Sequence, residues 1–318
     1  MAIIGNNIEK AIHLLRDGEL VAIPTETVYG LAANALNEKA VLSVFSVKER
    51  PAFDPLIIHV HAISEVLKYA EAIPEKLMVL AKKFWPGPLT LLLPKKAIVP
   101  DLVTSGLPQV AVRIPDHPIT LALLKEINLP LAAPSANPFG YISPTDPSHV
   151  DQQLGHKIKY ILDGGPCKVG LESTIVGMEN DEVVIYRLGG ISIENIEREI
   201  GQVRLHINLS GDPKAPGQLK SHYAPRKPLY VGDVCELSKI YGDKKTSLIL
   251  FGNTDIEIHS VKTYQLSATS NTYEAALKLF KILHDADADA SEIVIAPLLP
   301  ETGLGPAIND RLKRASVQ

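Results

Sequence analysis

Cysteine is almost missing from this chain. Cys167 and Cys235 are the only two among 318 residues, far apart and in unlike surroundings. Neither a disulfide framework nor a zinc site can be built from them, and a reducing compartment, the cytoplasm, is the expected setting. No window approaches the roughly 18 uninterrupted apolar residues of a membrane-spanning helix. The opening MAIIGNNIEKAIHLLRDGEL interrupts its apolar residues with charges. It is expected to form a helix entered through Asn6 or Asn7 and closed by Gly18, not a secretory signal. A surplus of positive charge is also lacking: 32 Lys and Arg face 36 Asp and Glu, for a net charge of −4. That argues against coating nucleic acid by bulk attraction, though a local basic cleft stays open. Three familiar site signatures are absent as well. The sequence has no Gly-x-x-x-x-Gly-Lys-Ser/Thr loop, no Gly-x-Gly-x-x-Gly after a first strand and no Gly-x-Ser-x-Gly elbow. A bound nucleotide would need an unorthodox loop set.

What the sequence does hold is an alternation of short apolar runs with segments of helical period. At about 150 residues per domain, its length suggests two domains. Strands are expected at 20–23, 56–61, 89–93, 110–114, 131–133, 160–162, 174–177 and 183–187. Helices are expected at 8–16, 38–48, 63–71, 75–84, 118–126 and 193–200. This order predicts an α/β or α+β unit on a twisted mixed sheet over 1–204. Residues 205–228 read as an interdomain linker, with turn material over 210–217 and a basic, proline-punctuated run over 221–228. Strands at 229–231, 246–251, 261–266 and 292–296, with helices at 272–284 and 305–315, predict a smaller βαβ, Rossmann-like domain over 229–318.

Two runs sit where apolar strands break into small polar groups: Pro24-Thr25-Glu26-Thr27-Val28-Tyr29-Gly30 and Pro134-Ser135-Ala136-Asn137. Strand ends that open into hydroxyls and amides are where α/β sheets grip ligands. Thr25, Thr27 and Tyr29 alternate, which along extended chain would place them on one face; self-capping of a strand end is the plainer alternative. Lys48-Glu49-Arg50-Pro51 puts two cations at a helix end. Dipole complementarity accounts for them in part, but the stiff turn at Pro51 suits phosphate recognition. His59 and His61 share one strand face, and with no third ligand in view a pocket-lining role outweighs a metal site. Arg113 ends a strand and is a good two-pronged partner for a carboxylate, or else a surface ion pair. Asp285-x-Asp287-x-Asp289 lacks the glycine and glutamate of a calcium loop and reads as a solvated helix end.

Taken together, PTETVYGLAANA (24–35), KERPAFDPLIIHV (48–60), FWPGPLTLLL (84–93), VAVRIPDHP (110–118), LAAPSANPFGYISPT (131–145), ILDGG (161–165) and GLESTIV (170–176) closely resemble the YrdC-type threonylcarbamoyl-AMP synthases. APGQLKSHYAPRKPL (215–229) and GLGPAINDRLKRA (303–315) resemble the long, two-domain version. The resemblance covers nearly the whole chain. It implies an enzyme that joins L-threonine, bicarbonate or CO2, and ATP into threonylcarbamoyl-AMP and pyrophosphate, with Mg2+ accompanying ATP. Partner transferase proteins would then modify the adenosine beside the anticodon of tRNA.

By that resemblance Thr27, His59, Arg113, Ala133 and Ser173 surround threonine. Arg50, Asp54, Ser135, Ser143, Arg187 and Tyr223 surround ATP. Lys48 and Asn137 join Arg50 and Ser135, in the Lys-x-Arg and Ser-x-Asn motifs, as the expected catalytic set. Thr27 or Ser173 would read threonine's hydroxyl. Two departures stand out: Asp54 occupies a place where some relatives carry asparagine, and the usual Arg-Pro-Gly is Arg187-Leu188-Gly189 here. The linker is expected to lay Tyr223 over the nucleotide as a lid. A different reading, a double-stranded RNA or tRNA-binding module on the same cationic hollow, predicts steeply salt-dependent affinity and no threonine-dependent pyrophosphate release.

Overall fold

Two sheets carry the chain, one for each expected domain. The computed structural model describes residues 1–206, 215–216, 222–253 and 260–316. The first part runs β1 (Ile3–Gly5), α1 (Ile8–Arg16), β2 (Val21–Ile23), β3 (Gly30–Asn34), α2 (Glu38–Lys48), β4 (Ile57–His59), α3 (Ile63–Val66), α4 (Glu75–Phe84), β5 (Leu89–Pro94), α5 (Asp101–Thr104) and β6 (Gln109–Arg113). It continues through α6 (Pro118–Ile127), β7 (Leu131–Ala132), α7 (Pro147–Leu154), β8 (Tyr160–Leu162), β9 (Thr174–Glu179), β10 (Glu182–Arg187), α8 (Ile193–Ile200) and β11 (Arg204–Leu205). The second part contains β12 (Leu229–Val231), α9 (Val234–Ile240), β13 (Thr246–Phe251), β14 (Lys262–Ser267), α10 (Thr272–Ala288), β15 (Ile293–Ala296) and α11 (Gly305–Ala315).

The large sheet has 11 strands in the order β1-β8-β2-β3-β7-β4-β6-β5-β9-β10-β11, with parallel and antiparallel neighbours mixed. Its middle strands β2 and β4 are buried throughout, as an interior strand covered on both faces must be. The small sheet, β12-β15-β13-β14, is wholly parallel. Parallel neighbours need crossovers, and α9 and α10 supply two of them. The expected mixed α/β fold with a second parallel-sheet domain is the one observed.

Local rules explain the helix ends that matter here. Asn37 caps α2 by accepting from the Lys39 and Ala40 amides. Glu49, at φ 55°, ends α2 in the left-handed conformation and so turns Lys48 and Arg50 inward to different neighbours.

Some expected elements differ. The helix predicted over 63–71 is only Ile63–Val66 long. The sequence reading missed β1, β3, α5, α7, α9 and β11. β3 is Gly-Leu-Ala-Ala-Asn, with no alternation and no β-branched residue, and only its antiparallel partners β2 and β7 make it a strand. Residues 24–29 are not extended either: the Thr25 hydroxyl donates to the Val28 carbonyl and accepts from the Thr27 and Val28 amides, closing a turn. Tyr29 therefore leaves the face of Thr25 and Thr27, and its hydroxyl donates to the Gly165 carbonyl.

Most of the turn expected over 210–217, and Ser221 of the basic run, lie outside the described residues. The described linker residues are firmly attached. The Ala224 amide donates to the Gly140 carbonyl, and Arg226 and Lys227 reach the end of α10. That overturns the solvated reading of the Asp285–Asp289 run. Asp287 is buried and accepts from the Tyr141 hydroxyl, the Arg226 amide and Arg226 Nε. Asp289 accepts from Lys227 Nζ, Ser247, Tyr264 and Ser291. These bonds hold both carboxyls below the usual range against the opposing effect of burial.

Candidate active site

Strand register gathers residues from six strands into one row. Leu131 of β7 faces His59 of β4; His59 faces Arg113 of β6; Arg113 faces Thr90 of β5; Thr90 faces Ile175 of β9; and Ile175 faces Arg187 of β10. Registered neighbours share a face of the sheet, so His59, Arg113 and Arg187 come to line one cavity. Counted out into the open solvent at its mouth, the hollow spans about 520 Å³. Thr27, Ala133, Ser135 and Ser173 complete its floor, and Arg50, His222, Tyr223 and Pro216 close it from the side of α2 and the linker.

Lys48, Asp54, Asn137 and Ser143 are not among the lining residues. Lys48 is buried behind the wall, where Nζ donates to the carbonyls of Ser135 and Asn137 at 2.5 and 2.6 Å. Burial, the first cause, and then Arg50 push its ammonium well below the ordinary lysine range. Its observed work is to hold the 133–137 loop against α2. Asn137 braces the same loop, its amide donating to the Pro138 and Tyr141 carbonyls. Asp54 pairs with Arg50 at 2.8 Å, and Arg50 also reaches the Asp54 and Pro55 carbonyls. The Ser143 hydroxyl donates to Glu172 Oε1 at 2.7 Å.

The lining residues have definite electrostatic states. His59 is buried beside Arg113, and burial first, the guanidinium second, bring its imidazole down to about 3. It is neutral at any physiological pH, and its Nδ1 has no hydrogen-bond partner among the described residues. Arg113 is ion-paired through Nη2 with Glu26 Oε1 at 2.7 Å. Arg187 spends Nε and Nη2 on the Ser173 carbonyl, and burial lowers its guanidinium to about 10. The Ser173 hydroxyl bonds with Thr90 Oγ1 at 2.7 Å. Tyr223 is buried in a left-handed conformation, φ 68°, and stacks on Phe280 of α10 with centroids 5.6 Å apart. The linker thus supplies an aromatic wall, backed by Phe280 of the second domain.

Reasoning from sequence passed over Glu26, Thr90, Glu172, His222 and Arg311. All five lay inside quoted motifs, but little that is local marks which residue of a motif turns inward. Arg311 did carry a signal: it falls on the face of α11 defined by Ala307, Ile308, Leu312 and Ala315, a charge on an apolar stripe.

Fold and cavity define a class: a two-domain, YrdC-like α/β transferase whose linker closes on the row of strand-end residues. A family model described as telomere recombination (Sua5, YciO, YrdC) matches residues 13–189, and one described as the threonylcarbamoyl-AMP synthase C-terminal domain matches 191–317. The chain belongs to the threonylcarbamoyl-AMP synthase family and is an enzyme of that kind. It is similar to the threonylcarbamoyl-AMP synthases of Pyrococcus abyssi and Bacillus subtilis, each 41% identical over 97% of this chain, covering 94% and 92% of those proteins. Among solved structures, P. abyssi Sua5 complexed with L-threonine superposes with a TM-score of 0.92 at 39% identity, covering 99% of this chain and 97% of that one. The Escherichia coli YciO structure, at 21% identity and a TM-score of 0.52 over 59% of this chain, shows the shared fold alone.

Proposed function

We propose that this cavity seats L-threonine and ATP side by side and makes L-threonylcarbamoyl-adenylate, using CO2 or bicarbonate and releasing pyrophosphate. The observation that carries the reading is the single row of His59, Arg113 and Arg187, with Arg50 and Tyr223 on the facing wall of the same cavity. Threonine is assigned to the end near His59, Arg113, Thr27, Ala133 and Ser173. A structure of the similar P. abyssi protein holds that amino acid. The nucleotide is assigned to the end near Arg50, Ser135, Arg187 and Tyr223, with Asp54 and Ser143 set behind.

The chemistry asks little of the protein beyond placement. Threonine's free amine attacks CO2; an N–C bond forms, and one amine proton leaves. A carbamate oxygen then attacks the α-phosphorus, forming an O–P bond while the bond to the β-phosphate breaks. No protein nucleophile is required. Orientation of such an attack is worth about 7–11 kcal/mol, and fixed cations stabilise the charge that builds on pyrophosphate. Neutral His59 can accept a hydrogen bond from the amino acid's amine or hydroxyl. Arg113 meets the carboxylate in competition with Glu26. Lys48 and Asn137 contribute by keeping Ser135 and its loop in place.

Magnesium enters with the triphosphate. Mg2+ is usually held by substrate phosphates, waters and one or two carboxylates. The carboxylates beside this cavity, Glu26, Asp54 and Glu172, are paired with Arg113, Arg50 and Arg311. Among the described residues no cluster of three or more metal-ligating side chains exists. The side chains present do not fit a protein-held ion, and no step here runs through one.

The product is a mixed anhydride, open to hydrolysis, so excluding water has value. Tyr223 and His222, brought over the cavity by the linker, suit that task. Transferase proteins that modify tRNA are the proposed acceptors of the product. The test follows pyrophosphate from purified protein with MgATP, bicarbonate and each amino acid in turn. Release with threonine alone is expected; release with no amino acid dependence would defeat the reading.

A further inference from the structure

Arg311 belongs to the second domain, yet it reaches both the loop before β9 and the linker. It is wholly buried on the apolar face of α11, where an arginine is almost never found without partners. Its Nε donates to Glu172 Oε2 at 3.1 Å, and its Nη1 to Asp310 Oδ2 at 2.9 Å. The guanidinium carbon stands 5.3 Å from the centroid of the Tyr223 ring, within cation–π range. Its Nη2 is buried and donates to no acceptor among the described residues. Glu172 and Tyr223 both line the cavity. One side chain of the second domain therefore holds two walls of a site whose floor is in the first.

The charge inventory points the same way. Lys48, Arg50, Arg187, Arg311 and Arg314 all bear on the His222–Tyr223 pair. Among the described residues the carboxylates that pair with them are Asp54, Glu172 and Asp310. Lys48 and Arg187 rest on carbonyl and hydroxyl oxygens instead. Burying cations that outnumber their carboxylates costs free energy, and a polyphosphate would offset that cost at the cavity-lining Arg50 and Arg187.

We infer that Arg311 is a positioning residue for the nucleotide half of the reaction, acting through Glu172 and Tyr223, so that the second domain helps to shape the ATP subsite. The inference rests on the proposed function. It assigns the second domain a task that tethering alone would not require. Threonine's end of the cavity centres on His59 and Arg113, to which Arg311 makes no bond. It is linked to Arg311 through Ser173, the neighbour of Glu172, so the ATP requirement should respond far more than threonine affinity.

The experiment uses the full chain and begins with wild-type pyrophosphate release, which tests the functional reading by itself. Arg311→Gln and Arg311→Lys are then compared for ATP KM, kcat and calorimetric threonine affinity without nucleotide. For Arg311→Gln the expected result is an ATP KM raised about tenfold or more, the scale of a lost charge-assisted bond. Threonine affinity should stay within about twofold. Arg311→Lys keeps the charge and one bond to Glu172 and should recover part of the loss. An active wild type with an unchanged ATP KM in Arg311→Gln overturns the inference, as does an equal loss of threonine and ATP binding. Should Arg311→Gln fail to fold, Arg311→Lys decides alone: a raised ATP KM with unchanged threonine affinity supports the inference, and an unchanged ATP KM ends it.

Discussion

Glu26 Oε1 lies 2.7 Å from Nη2 of Arg113, and neither side chain is more than 5% exposed. The pair joins the turn after β2 to the end of β6, so the guanidinium assigned to the amino acid's carboxylate already has a carboxylate beside it. Burying one charge without the other is expensive, about 3–5 kcal/mol when a partner is removed.

Glu26→Ala should therefore destabilise the free protein by that order, and threonine should return part of the loss by supplying a carboxylate in place of Glu26. The measurement is thermal melting with and without threonine. The threonine-induced rise in Tm should be larger in the variant than in the wild type. A rise no larger than wild type would mean that the incoming carboxylate does not meet Arg113.

Gly189 supplies a second prediction. A Cβ built there would lie 2.3 Å from the Glu172 carbonyl oxygen and 2.5 Å from the Ser173 carbonyl carbon. Both neighbours are backbone, so the loop itself has to shift. Gly189→Ala should cost about 1–3 kcal/mol, the range of overpacking, and should move Glu172 and Ser173, two lining residues, away from the row on β6 and β10. Urea unfolding together with threonine titration checks it. Stability lost with threonine affinity intact would show that the 172–173 loop plays no part in holding that substrate.

Why some of this was legible in the sequence and some was not follows from distance along the chain. Apolar runs such as 89–93 and 110–114 carry their strand signal locally, and so does the Asn37 cap of α2. The motif residues that end strands were visible for the same reason. Register is different: His59, Arg113, Thr90 and Arg187 form a row only because β4, β6, β5 and β10 settle at particular offsets. No local rule states those offsets. Lys48 shows the other limit. Its position at a helix end suggested a phosphate contact, but the left-handed Glu49 and the nearby Ser135 and Asn137 carbonyls turn the ammonium into a brace. Asp287 was misread because its partners Tyr141 and Arg226 come from 146 and 61 residues away.

The histidines predict how the protein answers acid. His59 and His284 are both brought down to about 3, first by burial, then by Arg113 in one case and by His149 in the other. His284 stacks on His149 at 4.1 Å and bonds with the Ser143 carbonyl at 3.1 Å, at the seam between α7 and α10. An unfolded histidine takes its proton near pH 6.5, so below that point the unfolded chain binds more protons than the folded one. Stability from these groups is fully present above about pH 6.5 and is lost as pH falls toward 3, by up to about 1.4 kcal/mol per pH unit for each histidine. The depressed carboxyls of Asp287 and Asp289 add to the loss only below the ordinary carboxylate range, near pH 4. Between about pH 6.5 and 4.5 the histidines should therefore dominate. Urea unfolding across that interval should show a falling stability in the wild type and a shallower fall in His284→Gln, which removes one proton acceptor from the unfolded chain. Equal slopes in the two proteins would show that His284 titrates alike in both states, and that the seam between the domains is open to water.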